Sequence, residues 1–234
     1  MAIRPIVIDI NHADGSREIE EIFGPHRTPP HATKIEDLID FELAYKSGIR
    51  GIIHKATEGE HFVDPLYKSR KPKAIAAGLL WGAYHFARPG DIGNQVSHFL
   101  GVATANDTRF MLDYEDEKLG LWQAERWCEL IHIATGQRPW LYGGGVLKEQ
   151  LARRHTPSLA QYPLVLAEYG EVAKVPEPWK NYVLWQRSGD GIGPGIHDIP
   201  GIGRKQDIDY FDGTDVELKL AWLDKGAGAT GAVA

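Results

Sequence analysis

The sequence predicts a modified TIM-like (β/α) barrel, a fold of the α/β class, and three observations support this prediction. Short runs of β-branched and aromatic residues alternate with helical patterns over most of the 234 residues. Five strand–helix units come first, and three strands with few or no intervening helices follow them. The alternative is an open doubly wound sheet, but no glycine-rich phosphate turn follows the first strand.

The first three units occupy the chain up to residue 104. Strand patterns occur at 5–10, 51–57 and 79–87, and helical patterns at 35–48, 64–78 and 91–104. Thr33 and Glu36 are the expected capping box of the first helix, and Gly48 its C-terminal cap. In the second helix Asp64 is the expected N-cap, and Pro72 is expected to break the helical pattern.

The other two units and the three last strands occupy the second half. Strand patterns occur at 109–117, 138–145, 162–170, 181–189 and 206–211, and helical patterns at 121–136, 146–154 and 214–226. Loops rich in proline and glycine separate the last three strands. We predict one barrel domain over residues 1–226, with a long inserted loop at 11–34, and a flexible C-terminal tail at 227–234.

The composition is that of an ordinary globular protein, with 43% hydrophobic and 25% charged residues. A formal net charge of −6 gives no reason to expect binding to nucleic acid or to an anionic membrane surface. Cys128 lies in a helical pattern and is expected to be a buried structural thiol. The N-terminus has no signal-peptide pattern and no segment is long enough to span a membrane, so we expect synthesis in the cytoplasm.

Four acidic residues fall at strand ends that a closed barrel brings together. Because side chains alternate along a strand, Asp113 and Glu115 share one face of the stretch "RFMLDYEDE". Asp9 ends the first strand in the same way, and Asp207 lies at or near the last strand. Active sites of such barrels lie at the C-terminal ends of the strands. We therefore expect the four carboxylates to converge on one cleft, although any single one could instead cap a helix or bind loop amides.

Converging carboxylates indicate a particular chemistry. Two close carboxyl groups drive their pKa values apart, so that one keeps its proton beside an ionised neighbour. Glycoside hydrolysis needs such a pair. Aromatic side chains at other strand ends could line a groove for sugar rings or simply fill the core; they are Tyr84, Phe86, Tyr142, Tyr169 and Trp185.

The histidines show no metal-binding pattern, since there is no His-x-His, no H-E-x-x-H and no Cys/His cluster. His54 and His85 lie in predicted strands and are expected to make structural hydrogen bonds. His12, close to Asp9 in the chain, is the histidine best placed to contact a substrate. No metal or cofactor is expected, and a metal-dependent hydrolase using the Asp and His residues stays an alternative.

Taken in order, eight segments resemble glycoside hydrolase family 25, the Chalaropsis-type lysozymes. They are "VIDIN", "GIRGIIHKATEGEHFVDPLY", "GLLWGAYHFARP", "FMLDYEDE", "WLYGG", "PLVLAEYG", "VLWQRSG" and "DIDYF". The resemblance covers the chain from about residue 5 to 213. It implies that Asp113 and Glu115 form the family's D-x-E motif, with Glu115 as the general acid.

The resemblance also assigns the remaining site residues. Asp9 is implied as the first-strand acid and Asp207 as the late acid, with Asp209 at a secondary position. Lys55, in "KATEG", is added to the expected substrate-binding residues. One departure is Glu168 in "LAEYG", an acid near the mouth to which the resemblance gives no role.

The implied activity is that of a β-1,4-N-acetylmuramidase, which hydrolyses the bond between N-acetylmuramic acid and N-acetylglucosamine with retention of configuration. Its partner would be the glycan strand of bacterial peptidoglycan, and we expect a monomer. The enzyme would reach the cell wall after release or export by another system. A non-catalytic glycan-binding barrel is the second hypothesis, and the intact D-x-E pair argues against it.

Overall fold

A computed structural model describes residues 4–14, 37–104 and 108–224 of the chain. Its strands are β1 (Ile6–Ile10), β2 (Ile49–Glu58), β3 (Phe62–Val63), β4 (Leu80–Phe86), β5 (Arg109–Asp113), β6 (Trp140–Gly143), β7 (Leu164–Ala167), β8 (Leu184–Ser188) and β9 (Asp207–Tyr210). They are hydrogen-bonded in the order β1-β9-β8-β7-β6-β5-β4-β2-β3, and β1 also pairs with β2. This last pairing closes an eight-stranded barrel, which confirms the predicted fold, and leaves β3 as a short strand outside the ring.

The direction of one strand differs from a regular (β/α) barrel. β9 runs antiparallel to both of its neighbours, β1 and β8, whereas the other ring pairings are parallel. A parallel neighbour needs a long crossover, usually a helix, but an antiparallel neighbour does not. Residues 189–206 contain turns, bends and isolated bridges rather than a helix, so β9 returns beside β8 in the opposite direction.

The helices follow the predicted order: α1 (Phe41–Lys46), α2 (Tyr67–Ala76), α3 (Ile92–Val102), α4 (Leu121–Thr135), α5 (Gly145–Arg153) and α6 (Asp215–Leu223). A short 3₁₀-helix, Pro157–Gln161, precedes β7. As predicted, the last three ring strands have no α-helix between them. In the part of the chain that the structure describes, none of the helices has the length and apolar character needed to cross a lipid bilayer.

Helix α1 begins later than the helix predicted at 35–48. The Asp40 side chain accepts a hydrogen bond from the backbone of Leu43 at 2.9 Å, so the helix begins there. The predicted capping box of Thr33 and Glu36 lies outside the described residues. Gly48 follows the helix end with a φ of 112°, a left-handed conformation that favours glycine.

Two expectations for α2 were wrong. Asp64 does not cap the helix; it accepts from the Leu66 backbone in a local turn, and α2 begins at Tyr67. Pro72 lies inside α2 without ending it. Proline costs a helix interior about 3 kcal/mol, but α2 also buries Tyr67, Arg70 and Ala74 against the barrel, and tertiary packing outweighs local propensity.

The alternation of side chains divides the core into an inner and an outer layer. The inner layer fills the barrel and includes Val7, Ile53, Met111, Trp140, Val165 and Leu184. The outer layer lies between strands and helices and includes Ile8, Ile52, Phe110, Leu141 and Leu166. Cys128 is buried in this outer layer, which confirms its predicted structural role.

Helix α6 closes the end of the barrel opposite the C-terminal ends of the parallel strands. Its Trp222 ring lies 5.1 Å from the ring of Trp140 in the inner layer, and the indole nitrogen donates to the Trp81 carbonyl at 2.9 Å. The buried Arg109 guanidinium donates to the carbonyls of Ala221 and Trp222 at the end of α6. Among the described residues, the opposite end of the barrel is therefore the one left for a polar site.

Candidate active site

The predicted acids meet at the open end of the barrel. Asp9 on β1 and Asp207 on β9 are directly paired in the antiparallel register. Asp113, the last residue of β5, is level with Phe86 on β4 and Tyr142 on β6. Asp113 follows the inward-facing Met111 by two positions, and Asp9 stands in the same relation to Val7. The strand alternation thus directs these carboxyl groups into the same mouth.

Asp209 adds a fourth acid below this rim. It is 1% exposed, and among the described residues neither carboxyl oxygen has a hydrogen-bond donor. The Asp9 carboxyl lies within hydrogen-bond reach of it. Two buried carboxyl groups this close disfavour the ionisation of both at once.

Burial and mutual repulsion raise the pKa values of this group of acids. Burial, followed by the charge of Asp207, raises the pKa of Asp209 well above its ordinary value. The pKa of Asp9 is raised well above its ordinary value by burial and then by the charges of Asp207, Asp209 and Asp113. For Asp207, burial and then the charge of Asp190 raise the pKa to about 7.

Asp113 lies under the mouth and is 7% exposed. One of its carboxyl oxygens, Oδ1, has no hydrogen-bond partner in the described chain. Burial, and then the charge of Glu115, raises the pKa of Asp113 well above its ordinary value, while the positive charge of Lys55 opposes the rise. Asp113 and Glu115 are thus close enough to influence each other's protons.

Glu115 lies two residues beyond the end of β5, with its carboxyl group within hydrogen-bond reach of the Tyr142 hydroxyl. Burial raises the pKa of Glu115, its contact with the Tyr142 hydroxyl opposes the rise, and the charge of Asp190 adds to it. By accessible area the residue is exposed, yet protein atoms crowd its carboxyl group, as in a cleft open on one side. This crowding acts on the carboxyl group itself and therefore disfavours its ionised form.

A buried side-chain amide connects Asp9 to Tyr142 by hydrogen bonds. The Gln186 Nε2 atom donates to Asp9 Oδ2 at 2.8 Å, and the Tyr142 hydroxyl donates to Gln186 Oε1 at 2.9 Å. Gln186 is fully buried on β8, level with Asp209 of β9. Gln186 is not among the site residues predicted from the sequence. The available signal was a polar residue at an inward-facing position of the apolar strand "VLWQRSG".

Two of the predicted aromatics, Tyr84 and Tyr142, lie in the inner layer beneath the acids. Both are buried, and burial raises the pKa of each well above its ordinary value. After burial, the charges of Asp113 and Asp9 contribute most to the raised pKa of Tyr84, so Tyr84 lies near these two acids. These tyrosines form the floor of the site rather than an open sugar platform.

Phe86 and Tyr169 are accessible at the mouth. Phe86 is half-buried, with Nζ of Lys55 on β2 4.9 Å from its ring centroid and the Arg88 guanidinium carbon 4.4 Å from it. Tyr169 is 42% exposed. A Cβ atom added to Gly189 would collide with both the Tyr169 hydroxyl and Asp207 Oδ1, so these two groups lie close to that glycine.

The prediction that Trp185 lines the groove is wrong. It is 6% exposed and belongs to the outer layer, because position 185 faces away from the barrel interior while Leu184 and Gln186 face inward. Its indole nitrogen donates to the Glu168 carbonyl at 2.7 Å. A side chain in this position packs against the barrel wall and does not line the mouth.

Lys55 and His12 lie at the rim of the site. Lys55 forms an ion pair with Glu58 next to the Phe86 ring. Its positive charge lowers the pKa of Asp113. The His12 ring nitrogen Nδ1 is 2.9 Å from Asp64 Oδ2, and its ring centroid is 5.7 Å from that of Phe62. Asp64, which did not cap α2, therefore holds His12 in place.

His54 and His85 make the structural hydrogen bonds that were predicted. His54 contacts the Lys55 carbonyl through Nδ1 at 2.7 Å and the Arg70 guanidinium through Nε2 at 3.1 Å. Because arginine can only donate, His54 Nε2 must accept, and the ring is neutral. Burial lowers the pKa of His54 and of His85 to about 4 in each case.

Glu168, which the sequence left without a role, pairs with lysines. Its carboxylate contacts Lys148 and lies 3.8 Å from Lys174. Within residues 4–14, 37–104 and 108–224, no group of three or more His, Cys, Asp or Glu side chains is arranged to hold a metal ion. The site that the described residues form is therefore a cluster of acids and tyrosines.

This arrangement defines a class of enzyme. Glu115, with a pKa raised by burial, lies beside Asp113 at the open end of the barrel, and glycoside hydrolysis requires such a pair of carboxyl groups. The chain belongs to glycosyl hydrolases family 25, whose model matches residues 32–196. The matched range includes Asp113 and Glu115; Asp9 and Asp207 lie beyond it and join the site through closure of the barrel.

Curated relatives and solved structures agree with this assignment. The chain is 30% identical to an N,O-diacetylmuramidase of Chalaropsis sp over 173 residues, which cover 64% of this chain and 82% of the relative. It resembles the structure of a family GH25 lysozyme from Aspergillus fumigatus with a TM-score of 0.67 and 26% identity, covering 94% and 99% of the two chains. A bacterial lysozyme from Streptomyces coelicolor has a similar fold, with a TM-score of 0.73 at 20% identity and coverage of 95% and 98%.

Proposed function

We propose that this glycoside hydrolase is a lysozyme, a β-1,4-N-acetylmuramidase that hydrolyses bacterial peptidoglycan. The observation that carries the proposal is Glu115, crowded by protein atoms and placed beside the buried Asp113 at the mouth of the barrel. Family 25 membership and a relative named as an N,O-diacetylmuramidase support the choice of substrate.

Glu115 is the general acid of the proposed reaction. It donates its proton to the oxygen that links N-acetylmuramic acid to N-acetylglucosamine, so that the bond from the anomeric carbon to this oxygen can break. The freed carboxylate then accepts a proton from a water molecule, which attacks the anomeric carbon and completes hydrolysis with retention. The raised pKa of Glu115, caused first by burial, keeps the initial proton in place.

Asp113 is the partner that acts as the carboxylate in the proposed reaction. The positive charges of Lys55 and Arg88 lower its pKa against the effect of burial, whereas within the described residues no cation has this effect on Glu115. When Glu115 holds its proton, its repulsion of the Asp113 carboxylate also disappears. Asp113 then either attacks the anomeric carbon or orients the substrate's own acetamido group to do so.

The other acids and the rim residues have supporting roles in the proposal. Asp9 and Asp207, with Asp209 at the secondary position, retain protons and orient sugar or water in the mouth. Sugar rings contact Phe86 and Tyr169 at the rim, and Lys55 and His12 donate to sugar oxygens. Tyr84 and Tyr142 shape the floor, and Trp185 is removed from this set by its position in the outer layer.

The enzyme acts on the bacterial cell wall, since peptidoglycan is its substrate. We further propose that it works as a monomer, that residues 1–226 form one catalytic domain, and that it reaches the wall by release or export through another system after synthesis in the cytoplasm. Neither nucleic acid nor a membrane is a proposed partner, in keeping with the net charge of −6.

Muropeptide analysis tests the proposed activity. Purified peptidoglycan is digested, reduced with borohydride and separated, and we expect new reducing ends on muramic acid. New ends on glucosamine would contradict the proposed bond specificity. Binding to the walls without release of any fragment would indicate the non-catalytic barrel instead.

A further inference from the structure

Arg88 joins the loops that follow three neighbouring strands at the mouth of the barrel. It lies just beyond the end of β4, and its guanidinium donates to Glu58 Oε1 at 2.7 and 2.8 Å and to Asp116 Oδ2 at 3.0 Å. Glu58 is the last residue of β2, and Asp116 lies in the loop after β5. One side chain therefore connects the carboxyl ends of β2, β4 and β5.

The backbone of Arg88 is also held on both sides. The buried Gln95 side chain of α3 accepts from the Arg88 backbone nitrogen at 3.1 Å and donates to the Arg88 carbonyl at 2.7 Å. The preceding residue, Ala87, donates its backbone N–H to the carbonyl of Asp113 at 3.1 Å. The planar guanidinium is therefore presented to its two carboxylates from a fixed backbone.

Asp116 fixes the turn that follows the proposed general acid. Its Oδ1 atom accepts from the Lys118 backbone at 2.9 Å, and its carbonyl accepts from the Leu119 backbone at 3.0 Å. Its other carboxyl oxygen, Oδ2, accepts from Arg88. Although the turn lies at the surface, the Asp116 side chain is only 9% exposed. The turn is thus attached to the mouth of the barrel through Arg88.

Glu115 lies between two anchored neighbours. On one side Tyr114 is buried, its backbone N–H donates to the Tyr142 carbonyl at 3.1 Å, and its hydroxyl donates to the Leu119 carbonyl at 2.9 Å. On the other side is Asp116, held by Arg88. Glu115 itself is exposed and lies beyond the end of β5, outside the sheet. The direction of its side chain therefore depends on how firmly these two neighbours are held.

We propose that Arg88 is a positioning residue that holds the backbone around Glu115 by binding Asp116, an inference that rests on the proposed lysozyme activity. Arg88 takes no part in proton transfer. It keeps the Glu115 carboxyl group within reach of the glycosidic oxygen, as general acid catalysis requires. Because Arg88 is 46% exposed, and exposed ion pairs add little to folding stability, its loss should affect placement more than stability.

Two other effects of Arg88 must be separated from its bond to Asp116. The guanidinium carbon lies 4.4 Å from the centroid of the Phe86 ring, so the side chain also supports an aromatic residue at the rim. Its positive charge also lowers the pKa of Asp113. Neither effect passes through Asp116, and removal of Asp116 should leave both in place.

A double-mutant cycle on kcat separates these effects. Arg88→Gln removes the guanidinium, and Asp116→Asn leaves one side-chain oxygen, which cannot serve both Arg88 and the Lys118 backbone. We expect each single variant to lower kcat on soluble muropeptides by about tenfold with little change in KM, because only the placement of the general acid is lost. In the Asp116→Asn background, Arg88→Gln should cause little further loss.

Independent effects give a different pattern. If Arg88 acts through Phe86 or through its charge on Asp113, the two losses multiply to about 10²-fold in the double variant, and the proposal is overturned. A higher KM with unchanged kcat in Arg88→Gln would also overturn it, since Arg88 would then bind the substrate directly. If Arg88→Gln does not fold, Asp116→Asn decides the matter, because unchanged kcat in that variant contradicts the proposal.

Backbone dynamics test the same contact without turnover. ¹⁵N relaxation measures the order parameters of the Glu115 and Asp116 amides, and we expect them to fall from about 0.85 to about 0.6 in Arg88→Gln and in Asp116→Asn. Unchanged order parameters would overturn the proposal. If the unmodified protein releases no muropeptides, the lysozyme proposal fails, while the relaxation measurement still tests whether Arg88 holds this loop.

Arg126→Gln is the matched control. Arg126 on α4 has a similar side-chain exposure, 50%, and pairs with Glu129 of the same helix at 2.6 Å. Because this pair connects no loops of the mouth, its loss should leave both kcat and the order parameter of Glu115 unchanged. A loss of kcat equal to that of Arg88→Gln would overturn the proposal, since removal of any exposed arginine would then suffice.

Discussion

Asp9 and Asp207 are directly opposed across the antiparallel pair of β1 and β9, and the charge of Asp207 raises the pKa of Asp9. Burial and then the charge of Asp190 raise the pKa of Asp207 to about 7, from an ordinary value of 3.8. A raised carboxyl pKa means that the folded state binds more protons than the unfolded state. Stability is therefore lost as pH rises from about 4 to about 7, and is fully present below that window.

Asp207→Asn should relieve this cost. We expect the melting temperature to rise by roughly 2–8 °C at a pH just above 7, and the gain to vanish at a pH below 3.8, where Asp207 is mostly neutral in both states. Thermal unfolding at the two pH values measures the difference. Asp215→Asn, on the exposed first turn of α6, is a control that should show no such gain. Equal stabilisation at both pH values would contradict the raised pKa of Asp207 in the folded protein.

Glu115→Gln should remove the general acid and leave the fold intact. We expect muropeptide release to fall by about 10²- to 10⁴-fold, the usual contribution of general acid–base catalysis. Because the residue lies on the surface of the mouth and not in the core, the melting temperature should change little. Glu117→Gln, an exposed acid two residues further on, should keep normal activity. Normal wall clearing by Glu115→Gln would refute its role.

Gly189→Ala tests the contact between Tyr169 and Asp207. The new methyl group would collide with the Tyr169 hydroxyl and with Asp207 Oδ1, so one of them must move. We expect a loss of activity of about tenfold or more, since displacement of site groups by an ångström is costly. Gly101→Ala, on the outer face of α3 with no atom within 4 Å of the added carbon, should leave activity unchanged. Full activity in Gly189→Ala would show that this contact is not needed.

Phe86 and Trp185 should respond differently to truncation. Phe86→Ala removes a half-buried ring at the rim, and we expect KM for wall fragments to increase while folding is largely kept. Trp185→Ala empties a buried position in the outer layer and should destabilise the protein by about 3–5 kcal/mol. Urea unfolding and initial rates on soluble muropeptides separate the two effects. A higher KM for Trp185→Ala without loss of stability would instead indicate that Trp185 lines the groove.

Chelation tests the metal-dependent alternative. We expect full muropeptide release in the presence of excess EDTA, because the proposed chemistry uses only carboxyl groups of the chain. Rates are compared before and after dialysis against the chelator. A loss of activity that added Zn²⁺ or Mg²⁺ restores would favour the metal-dependent hydrolase.

The barrel and its principal acids were predictable because they depend on two simple periodicities. Apolar strands alternating with helical patterns indicate a barrel, and alternation within "RFMLDYEDE" puts Asp113 on the inner face. The same alternation, applied to "VLWQRSG", would have placed Trp185 outside and Gln186 inside. An aromatic residue type suits a sugar-binding groove only when its side chain faces the barrel interior, and position 185 faces outward.

Other features depend on contacts between distant parts of the chain. The direction of β9 follows from the absence of a helical crossover within residues 189–206, and the register that pairs Asp9 with Asp207 is set by two strands far apart in the sequence. Pro72 is accommodated because α2 packs on the barrel, which a local pattern does not contain. The role of Asp64 in holding His12 likewise appears only in three dimensions.

The seam between β1 and β9 also sets when the mouth of the barrel is complete. Asp9 belongs to the first strand of the barrel to leave the ribosome and Asp207 to the last, so a nascent chain cannot pair these two acids until β9 has been made and inserted. A polypeptide that stops short of β9 consequently lacks both this pairing and the closed ring.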